Sequence, residues 1–278
     1  MIILCAATLT PPGKARILTS EGIEETWMVN YLANFHLLSI LSPAIRTQPP
    51  DRDVRIIFAT CSSYITSPLL LGNEAVDAKD WSPAKSYARS KLAIATFGQA
   101  FQKHLDAYKR PDGAPMNARM IFVDPGYTRT PGMRRYLTRG TLWGLALYII
   151  LWQNIWLLLK SSEQGAQSFL YAAMEATLGR GNGGKLIKEC MEVDFARADV
   201  KDEVVAKKLW EESDKLIERI EREEAVKRAL IKKDKEATEK AEKEKDRIVK
   251  PPAVLEPDVS SGSGTEGKEV SFAERKAA

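Results

Sequence analysis

Short apolar runs alternate with segments of helical periodicity along the first half of the chain. The apolar runs cover residues 1–8, 54–61 and 118–124, and each is followed by a loop of polar residues, proline or glycine. Residues 23–45 and 83–109 lie between these runs and carry apolar side chains at helical spacing. The resulting strand–helix order is typical of a parallel sheet, because parallel neighbours require a long crossover connection. The sequence therefore predicts an α/β fold with a doubly wound parallel sheet.

The remainder of the chain divides by composition. Residues 199–250 contain nearly equal numbers of basic and acidic residues, with Glu and Lys often four apart, which predicts a charged helix. Residues 251–278 are rich in Ser, Gly, Glu and Pro, which predicts a disordered tail. The sequence therefore predicts a folded domain at 1–198, a charged helix at 199–250 and a disordered tail at 251–278.

Composition argues against several classes of protein. The net charge is +4 with well-mixed signs, and no basic stripe interleaved with aromatic residues supports nucleic-acid binding. The three cysteines, Cys5, Cys61 and Cys190, are widely spaced, so neither a disulfide framework nor a zinc site is indicated. The two histidines are far apart, so we expect no metal. The first residues lack the basic region of a secretory signal, so we expect a protein that is not secreted.

One uncharged segment, residues 141–159, is close to the length of a membrane span. It contains three tryptophans and a tyrosine, which suit an interface between lipid and water. Arg134, Arg135 and Arg139 precede it and Lys160 follows it. We expect contact with a membrane or lipid-droplet surface rather than a true span, because sequence typical of a folded domain resumes directly afterwards. The alternative is a hydrophobic lid or core helix of the same domain.

The most informative chemical pattern is the pair Tyr87 and Lys91. They are four positions apart at the start of a predicted helix, so their side chains share one face. A lone pair of this kind is a weak signal, and a solvated helix turn is its ordinary interpretation. Its context is more specific, because Ser62-Ser63 follows one predicted strand and residues 124–130 follow the next. In open α/β sheets ligands bind outside the carboxyl ends of the strands, which is where these residues are predicted to lie.

Together these residues resemble the motifs of the short-chain dehydrogenase/reductase family, closest to its retinol-dehydrogenase-like and WW-domain-oxidoreductase-like members. The resemblance runs from residue 1 to about residue 195 and rests on four motifs in the family's order. The motifs are an Asn in a helix, a strand ending in Ser-Ser, Tyr-x-x-x-Lys, and Pro-Gly-x-Val-x-Thr. In this chain they correspond to Asn30, Ser63, Tyr87 with Lys91, and Pro125-Gly126 with Thr130. Thr128 stands where the family has Val.

The resemblance implies a catalytic role for Asn30, Ser63, Tyr87 and Lys91. A tyrosine hydroxyl has a pKa near 10, and a neighbouring ammonium such as that of Lys91 favours the phenolate. Tyr87 would exchange a proton with the substrate oxygen, while Ser63 would hold that oxygen by a hydrogen bond. Asn30 would support a water that links Lys91 to solvent. Ser62 is the rival for the serine role, and the family's use of the second serine favours Ser63.

The resemblance also implies a nicotinamide cofactor, NADP or NAD, with NADP favoured by the resemblance alone. The residues expected to bind it are Asn30, Tyr87, Lys91, Pro125, Gly126, Thr128 and Thr130. Lys91 would bond the ribose, and the Thr128 backbone and Thr130 hydroxyl would face the nicotinamide amide. We interpret Cys61, at a strand end without a plausible histidine base, as a buried thiol.

The chain departs from the family at its start. The family's glycine-rich turn, Thr-Gly-x-x-x-Gly-x-Gly, does not occur, and Gly179–Gly184 is better interpreted as a loop. By resemblance residue 1 falls at the fourth strand, which implies a Rossmann-like sheet without its first three strands. The family's Asn-Asn-Ala-Gly is replaced by residues 5–8, Cys-Ala-Ala-Thr. A mis-assigned start, a truncated product without activity, and completion of the sheet by another chain are three explanations, of which we favour the first.

These observations predict an NAD(P)-dependent oxidoreductase that acts on a small lipophilic alcohol or carbonyl at the cytoplasmic face of a membrane or lipid droplet. The activity of the chain as given stays in question because the cofactor site is incomplete. The alternative is a cofactor-free remnant or a membrane-surface interaction protein. Substrate identity, reaction direction and oligomeric state have no sequence signal.

Overall fold

Five strands form one sheet in the order β1-β2-β3-β4-β5. The computed structural model describes residues 1–68 and 80–249, so the predicted tail lies outside the described residues. The strands are β1 (Ile2–Leu4), β2 (Val54–Ala59), β3 (Ala118–Asp124), β4 (Lys185–Lys188) and β5 (Met191–Val193). The first four strands are parallel, and β5 returns antiparallel to β4. The predicted α/β fold with a mostly parallel sheet is confirmed, although β1 is shorter than the predicted run and the last two strands carried no clear sequence signal.

Eight α-helices accompany the sheet within the described part of the chain. They are α1 (Glu25–Trp27), α2 (Ala33–Arg46), α3 (Pro83–Asp106), α4 (Pro131–Leu137), α5 (Leu142–Ile150), α6 (Trp152–Leu158), α7 (Ser162–Met174) and α8 (Glu203–Val249). A π-helical turn at Met28–Leu32 joins α1 to α2, so the two form one continuous helix. Helix α3 connects β2 to β3 where the sequence predicts a helix, and α7 lies on the connection from β3 to β4.

The two faces of the sheet bury different sets of side chains. Phe58 and Phe122 point to the face covered by α1, α2 and α3, whereas Ile57 and Ile121 point to the face covered by α7. The alternation follows from the two-residue period of a strand. Because both faces are covered, β2 and β3 read in the sequence as nearly continuous apolar runs.

The helix Glu25–Arg46 is long and apolar enough to cross a membrane by length and composition. Its apolar side chains Tyr31, Phe35 and Leu38 are fully buried against the sheet and neighbouring helices. A core helix passes the same length and composition test as a membrane span. Packing inside the domain accounts for the hydrophobicity of these three side chains.

The chain divides into two compact units, Met1–Glu224 and Ala225–Ala278. Within the first unit, the beginning of α8 packs on the helical layer. Trp210 contacts the rings of Phe97 and Phe35, and the Tyr31 hydroxyl bonds Ser213 at 2.8 Å. From Ala225 to residue 240 the side chains of α8 are exposed, which agrees with the charged composition.

The uncharged run at 141–159 forms two short helices, α5 and α6, that meet at Leu151. The chain segment that contains these two helices begins and ends next to the loop after β3. There the Lys160 amide donates to the Tyr127 carbonyl at 3.0 Å, and the Arg129 amide donates to the Lys160 carbonyl at 2.9 Å. Residues 131–159 therefore project from the end of β3 as an insertion whose two ends are fastened together.

Candidate functional site

The carboxyl ends of β1, β2 and β3 meet at one edge of the sheet, beside the start of α3. Helix α3 begins sharply because the Ser82 hydroxyl accepts from the Lys85 amide and Pro83 occupies the first turn. Tyr87 and Lys91 follow in the first turns of this helix. The fold thus places both side chains near the loops that follow β2 and β3, as the sequence predicts.

Lys91 is buried, with 4% of its surface exposed. Its ammonium donates a hydrogen bond to the Ala59 carbonyl at 2.8 Å and lies 5.5 Å from the centre of the Tyr87 ring. Burial lowers the pKa of Lys91, and the nearby Cys61, Cys5 and Asp124 oppose that effect. An ammonium has three donors, and the Ala59 carbonyl is its one acceptor among residues 1–68 and 80–249, so further donors are available to a ligand.

Tyr87 is partly buried and lies near the Cys61 side chain. Burial is the largest cause of a raised pKa for Tyr87, followed by the Cys61 thiol and the Asp124 carboxylate. This direction is opposite to the one expected from Lys91 alone. Tyr87 therefore keeps its proton at neutral pH and can act as a proton donor.

Ser63 lies in a 3-10 turn, Ser62–Thr66, directly after β2. Its hydroxyl oxygen is 2.7 Å from the Cys61 sulfur, and the Cys61 side chain also lies near Tyr87. The structure thus places Ser63, Tyr87 and Lys91 at the same edge of the sheet, with Cys61 next to Ser63. Sequence reasoning treated Cys61 as a buried thiol. Its place two residues before Ser63, at the end of a strand, was the signal that could have drawn attention to it.

Ser62 is committed to a different set of partners. Its hydroxyl donates to Asp124 Oδ2 at 2.5 Å and accepts from the Lys188 ammonium at 3.2 Å. The second Asp124 oxygen accepts from the Gly126 amide at 2.9 Å. This network ties the ends of β2, β3 and β4 together, and it leaves Ser63 as the serine next to Tyr87. Neither Asp124 nor Lys188 was identified from the sequence.

Asn30 lies in the π-helical turn and its side-chain amide is fully engaged. Its oxygen accepts from the Thr8 amide at 2.7 Å, and its nitrogen donates to the Thr8 carbonyl and the Ser90 hydroxyl, both at 3.0 Å. The side chain therefore fastens the loop after β1 to α3. It does not contact Lys91, so the water-supporting role implied by the resemblance stays a prediction.

The loop after β3 holds the remaining candidate residues. Gly126 has a φ of +73°, a left-handed conformation that suits glycine, and it follows Pro125. Thr128 forms a bridge with Lys160, and the Thr130 hydroxyl accepts from the Met133 amide and so caps α4. The loop is thereby fixed at both ends, but the Thr130 hydroxyl is used for capping rather than left free.

The site fits the nicotinamide end of a dinucleotide. The partly unsatisfied ammonium of Lys91 suits a ribose, and the Thr60 hydroxyl at the end of β2 is buried without a partner in the described part of the chain. No glycine-rich turn opens a helix among the described residues, so these residues do not supply a pyrophosphate cradle.

Several known oxidoreductases are similar to this chain, whereas no family model matches it. The uncharacterised oxidoreductase pbr1 of Schizosaccharomyces pombe is 41% identical over 240 residues, which cover 84% of this chain and 63% of that protein. Mouse polyprenol dehydrogenase is 30% identical, over 71% of this chain and 54% of its own length. Human retinol dehydrogenase 13 is 26% identical, over 72% of this chain and 55% of its own length. The chain thus spans just over half to less than two thirds of these relatives.

A solved structure of an uncharacterised protein from Mycobacterium paratuberculosis has the same fold. It aligns with a TM-score of 0.50 and 22% identity over 77% of this chain and 66% of its own. The named relatives, together with the four motifs and the sheet that carries them, identify the lineage. The chain belongs to the short-chain dehydrogenase/reductase family, as a retinol-dehydrogenase-like member.

Proposed function

We propose that this chain carries out the NAD(P)-dependent interconversion of a lipophilic alcohol and its carbonyl. The observation that carries the proposal is the convergence of Ser63, Tyr87 and Lys91 at the carboxyl edge of the sheet. These three groups provide a hydroxyl that can hold a substrate oxygen, a proton donor and an adjacent ammonium. The oxidoreductase relatives support the same class of reaction.

The residues divide the work of carbonyl reduction between them. When bound, the nicotinamide would supply the hydride for this reaction. The protonated Tyr87 donates its proton to the substrate oxygen, and the Ser63 hydroxyl holds that oxygen in place. Lys91 stabilises the negative charge that develops on the Tyr87 oxygen and offers its remaining donors to the ribose.

The apolar insertion supports a lipophilic substrate. It follows directly on the loop after β3, where Thr130 caps α4, so α5 and α6 lie downstream of the candidate site in the chain. Two relatives are named for long apolar alcohols, polyprenol and retinol. We infer that the substrate of this chain belongs to the same chemical class, and that α4 to α6 contribute to its binding.

Turnover with purified chain tests this function. We expect oxidation of an isoprenoid or retinoid alcohol in detergent to be detected with NADP or NAD, as formation of the reduced nicotinamide. Saturable quenching of tryptophan fluorescence by NADPH or NADH reports cofactor binding separately. A chain that neither binds nor turns over would instead be a cofactor-free member of the family with a role at a membrane surface.

We also propose that α5 and α6 dock on a membrane or lipid-droplet surface at the cytoplasmic side. We name their exposed apolar side chains the docking face, which comprises Leu142, Trp143, Leu147, Ile149, Ile150, Trp156, Leu157 and Leu158. Trp143 is 88% exposed and Leu157 is 79% exposed. A patch of this kind is uncommon on a soluble surface. Neither helix exceeds 9 residues, so each is far too short to span a bilayer.

The charges around the docking face favour an anionic lipid surface. No acidic residue occurs between Asp124 and Glu163, whereas five basic residues occur there. Arg134 and Arg135 are exposed on α4, immediately before the docking face. Exposed basic residues near the surface of an anionic membrane each contribute about 1 kcal/mol of attraction.

Flotation with lipid vesicles tests the docking face. We expect the double substitution Trp143→Ser with Leu157→Ser to weaken binding by about 100-fold or more, because burial of each side chain in lipid contributes roughly 1.5–3 kcal/mol. Adding phosphatidylserine to phosphatidylcholine vesicles should increase binding of the wild type. Replacing Arg134 and Arg135 by Gln should remove this increase and leave binding to pure phosphatidylcholine vesicles unchanged.

A matched pair of exposed apolar residues outside the docking face provides the control. Ile40 on α2 and Leu170 on α7 are 62% and 58% exposed, and their replacement by Ser should leave flotation unchanged. Equal flotation of wild type and the Trp143/Leu157 variant would reject the docking face.

A further inference from the structure

The Lys188 ammonium lies beside the candidate site and has no role in the proton and hydride transfers of the proposed reaction. Lys188 is the last residue of β4, so it lies at the same edge of the sheet as Ser63. Its half-buried side chain donates to the Ser62 hydroxyl at 3.2 Å, which is its one hydrogen bond among residues 1–68 and 80–240. An ammonium has three donors, so two of them stay available to a ligand.

The neighbouring carboxylate of Asp124 does not occupy these donors. Asp124 lies opposite Lys188 in the register of β3 and β4, and it is 2% exposed. Its two oxygens accept from the Ser62 hydroxyl at 2.5 Å and from the Gly126 amide at 2.9 Å. Because the Ser62 hydrogen is committed to Asp124, the Ser62 oxygen can only accept from Lys188. Ser62 therefore holds the ammonium in place without filling its other donors.

A second ammonium, that of Lys160, lies against the loop after β3. Its nitrogen is 3.5 Å from the position that a Cβ on Gly126 would take. It forms an ion pair with Glu189 at 2.6 Å, in which the two side chains are 36% and 54% exposed. Exposed ion pairs contribute little free energy, so an arriving anion can compete with Glu189 for this ammonium. The loop after β3 thus has two lysines beside it, one at Ser62 and one at Gly126.

We propose that Lys188 and Lys160 form an anion subsite, which binds a negatively charged group of the substrate close to its reacting carbon. This inference rests on the proposed function, because it assigns Ser63 to the substrate oxygen. The Cα atoms of Ser62 and Ser63 are about 3.8 Å apart, as in any trans peptide. An anion bound by Lys188 at Ser62 and an oxygen held by Ser63 therefore belong to one small molecule, a few bonds apart.

The position of Lys160 relates this subsite to the apolar insertion. Residues 131–159 project from the loop after β3, and Lys160 is the residue at which they return to it. A substrate whose anion lies at the base of the insertion can extend its apolar chain towards α5 and α6. The substrate class is accordingly an amphiphile, with a long apolar chain and an anionic group near the alcohol or carbonyl, rather than a neutral lipid alcohol.

Binding of one matched pair of ligands tests the subsite. 3-Hydroxytetradecanoate and its methyl ester share the hydroxyl and the apolar chain, and only the acid is charged. Quenching of the tryptophan fluorescence in a neutral detergent gives the affinity of each ligand for each variant. We expect Lys188→Met to lower the affinity for the acid by about tenfold, as for the loss of one charge-assisted hydrogen bond, and the affinity for the ester much less. Lys188→Arg keeps the charge and should bind the acid nearly as wild type does.

Two further variants separate the subsite from a general effect on β4. Lys185 is the first residue of β4, at the opposite edge of the sheet, and its ammonium is bound to Glu192 at 2.7 Å. Lys185→Met should therefore bind both ligands as wild type does. Lys160→Met leaves β4 and Ser62 untouched, and it should weaken binding of the acid by a smaller factor than Lys188→Met, because Glu189 shares its ammonium.

The binding measurement is independent of turnover, so the two proposals can fail separately. Unchanged affinity for the acid in both Lys188→Met and Lys160→Met, or no binding of the acid by wild type, would overturn the anion subsite. An equal loss of acid and ester binding in Lys188→Met would also overturn it, because the charge would then make no difference. Binding of the acid that depends on Lys188, in a chain without any turnover, would refute only the proposed function.

Discussion

Replacement of Tyr87 by Phe should lower turnover of the chain by at least about 100-fold, within the range of roughly 10²–10⁴ that a positioned proton donor contributes. Tyr87 carries a transferable proton and lies next to the ammonium of Lys91 and near Cys61. The substitution removes only the hydroxyl, so the ring and its packing stay. Steady-state rates at saturating cofactor provide the measurement, and binding of the cofactor should change little.

The matched control is Tyr108→Phe. Tyr108 lies just beyond the opposite end of α3, with Arg46 over its ring, so the same chemical change is made far from the site. Its turnover should equal that of wild type. If Tyr87→Phe retains more than a small fraction of the wild-type rate, Tyr87 is not the proton donor and the assignment of the site fails.

The fold could be predicted where a local pattern matches the final packing. The runs at β2 and β3 are apolar because both faces of the sheet are covered, so their positions were clear from the sequence. Strand β4 was missed because only Leu186 and Ile187 of its four residues are buried. Its strand character comes from pairing with β3, which lies more than sixty residues earlier in the chain.

The candidate site shows the same division between local and distant information. Tyr87 and Lys91 are four residues apart on one helix, so a spacing rule finds them. Asp124 and Lys188 meet at Ser62 from separations of 62 and 126 residues, and no local pattern carries that contact. The uncharged run at 141–159 is visible in the sequence, but its division into two helices is not, because the break at Leu151 has no proline or glycine to mark it.

One glycine decides how closely the catalytic helix approaches the sheet. Gly98 lies on α3, two turns after Lys91, and a Cβ at this position would come within 2.5 Å of the Phe122 ring. The Phe122 ring is itself stacked on Phe58 and in edge contact with Phe195, and these contacts restrict its movement. The depth of Lys91 in the site therefore depends on the absence of a side chain at Gly98.

Gly98→Val should accordingly lower the free energy of unfolding by about 3 kcal/mol, at the upper end of the cost of overpacking a core. A shift of α3 away from the sheet should also weaken the Lys91 bond to the Ala59 carbonyl, so turnover should fall together with stability. Urea unfolding of Gly98→Val and of Ala100→Val provides the comparison. Ala100 lies on the same helix beside a cavity of about 370 Å³, so it receives the same branched side chain without the clash. Equal midpoints for the two variants would mean that the Phe122 ring can yield, and that the position of α3 is set by its caps and loops rather than by contact with the sheet.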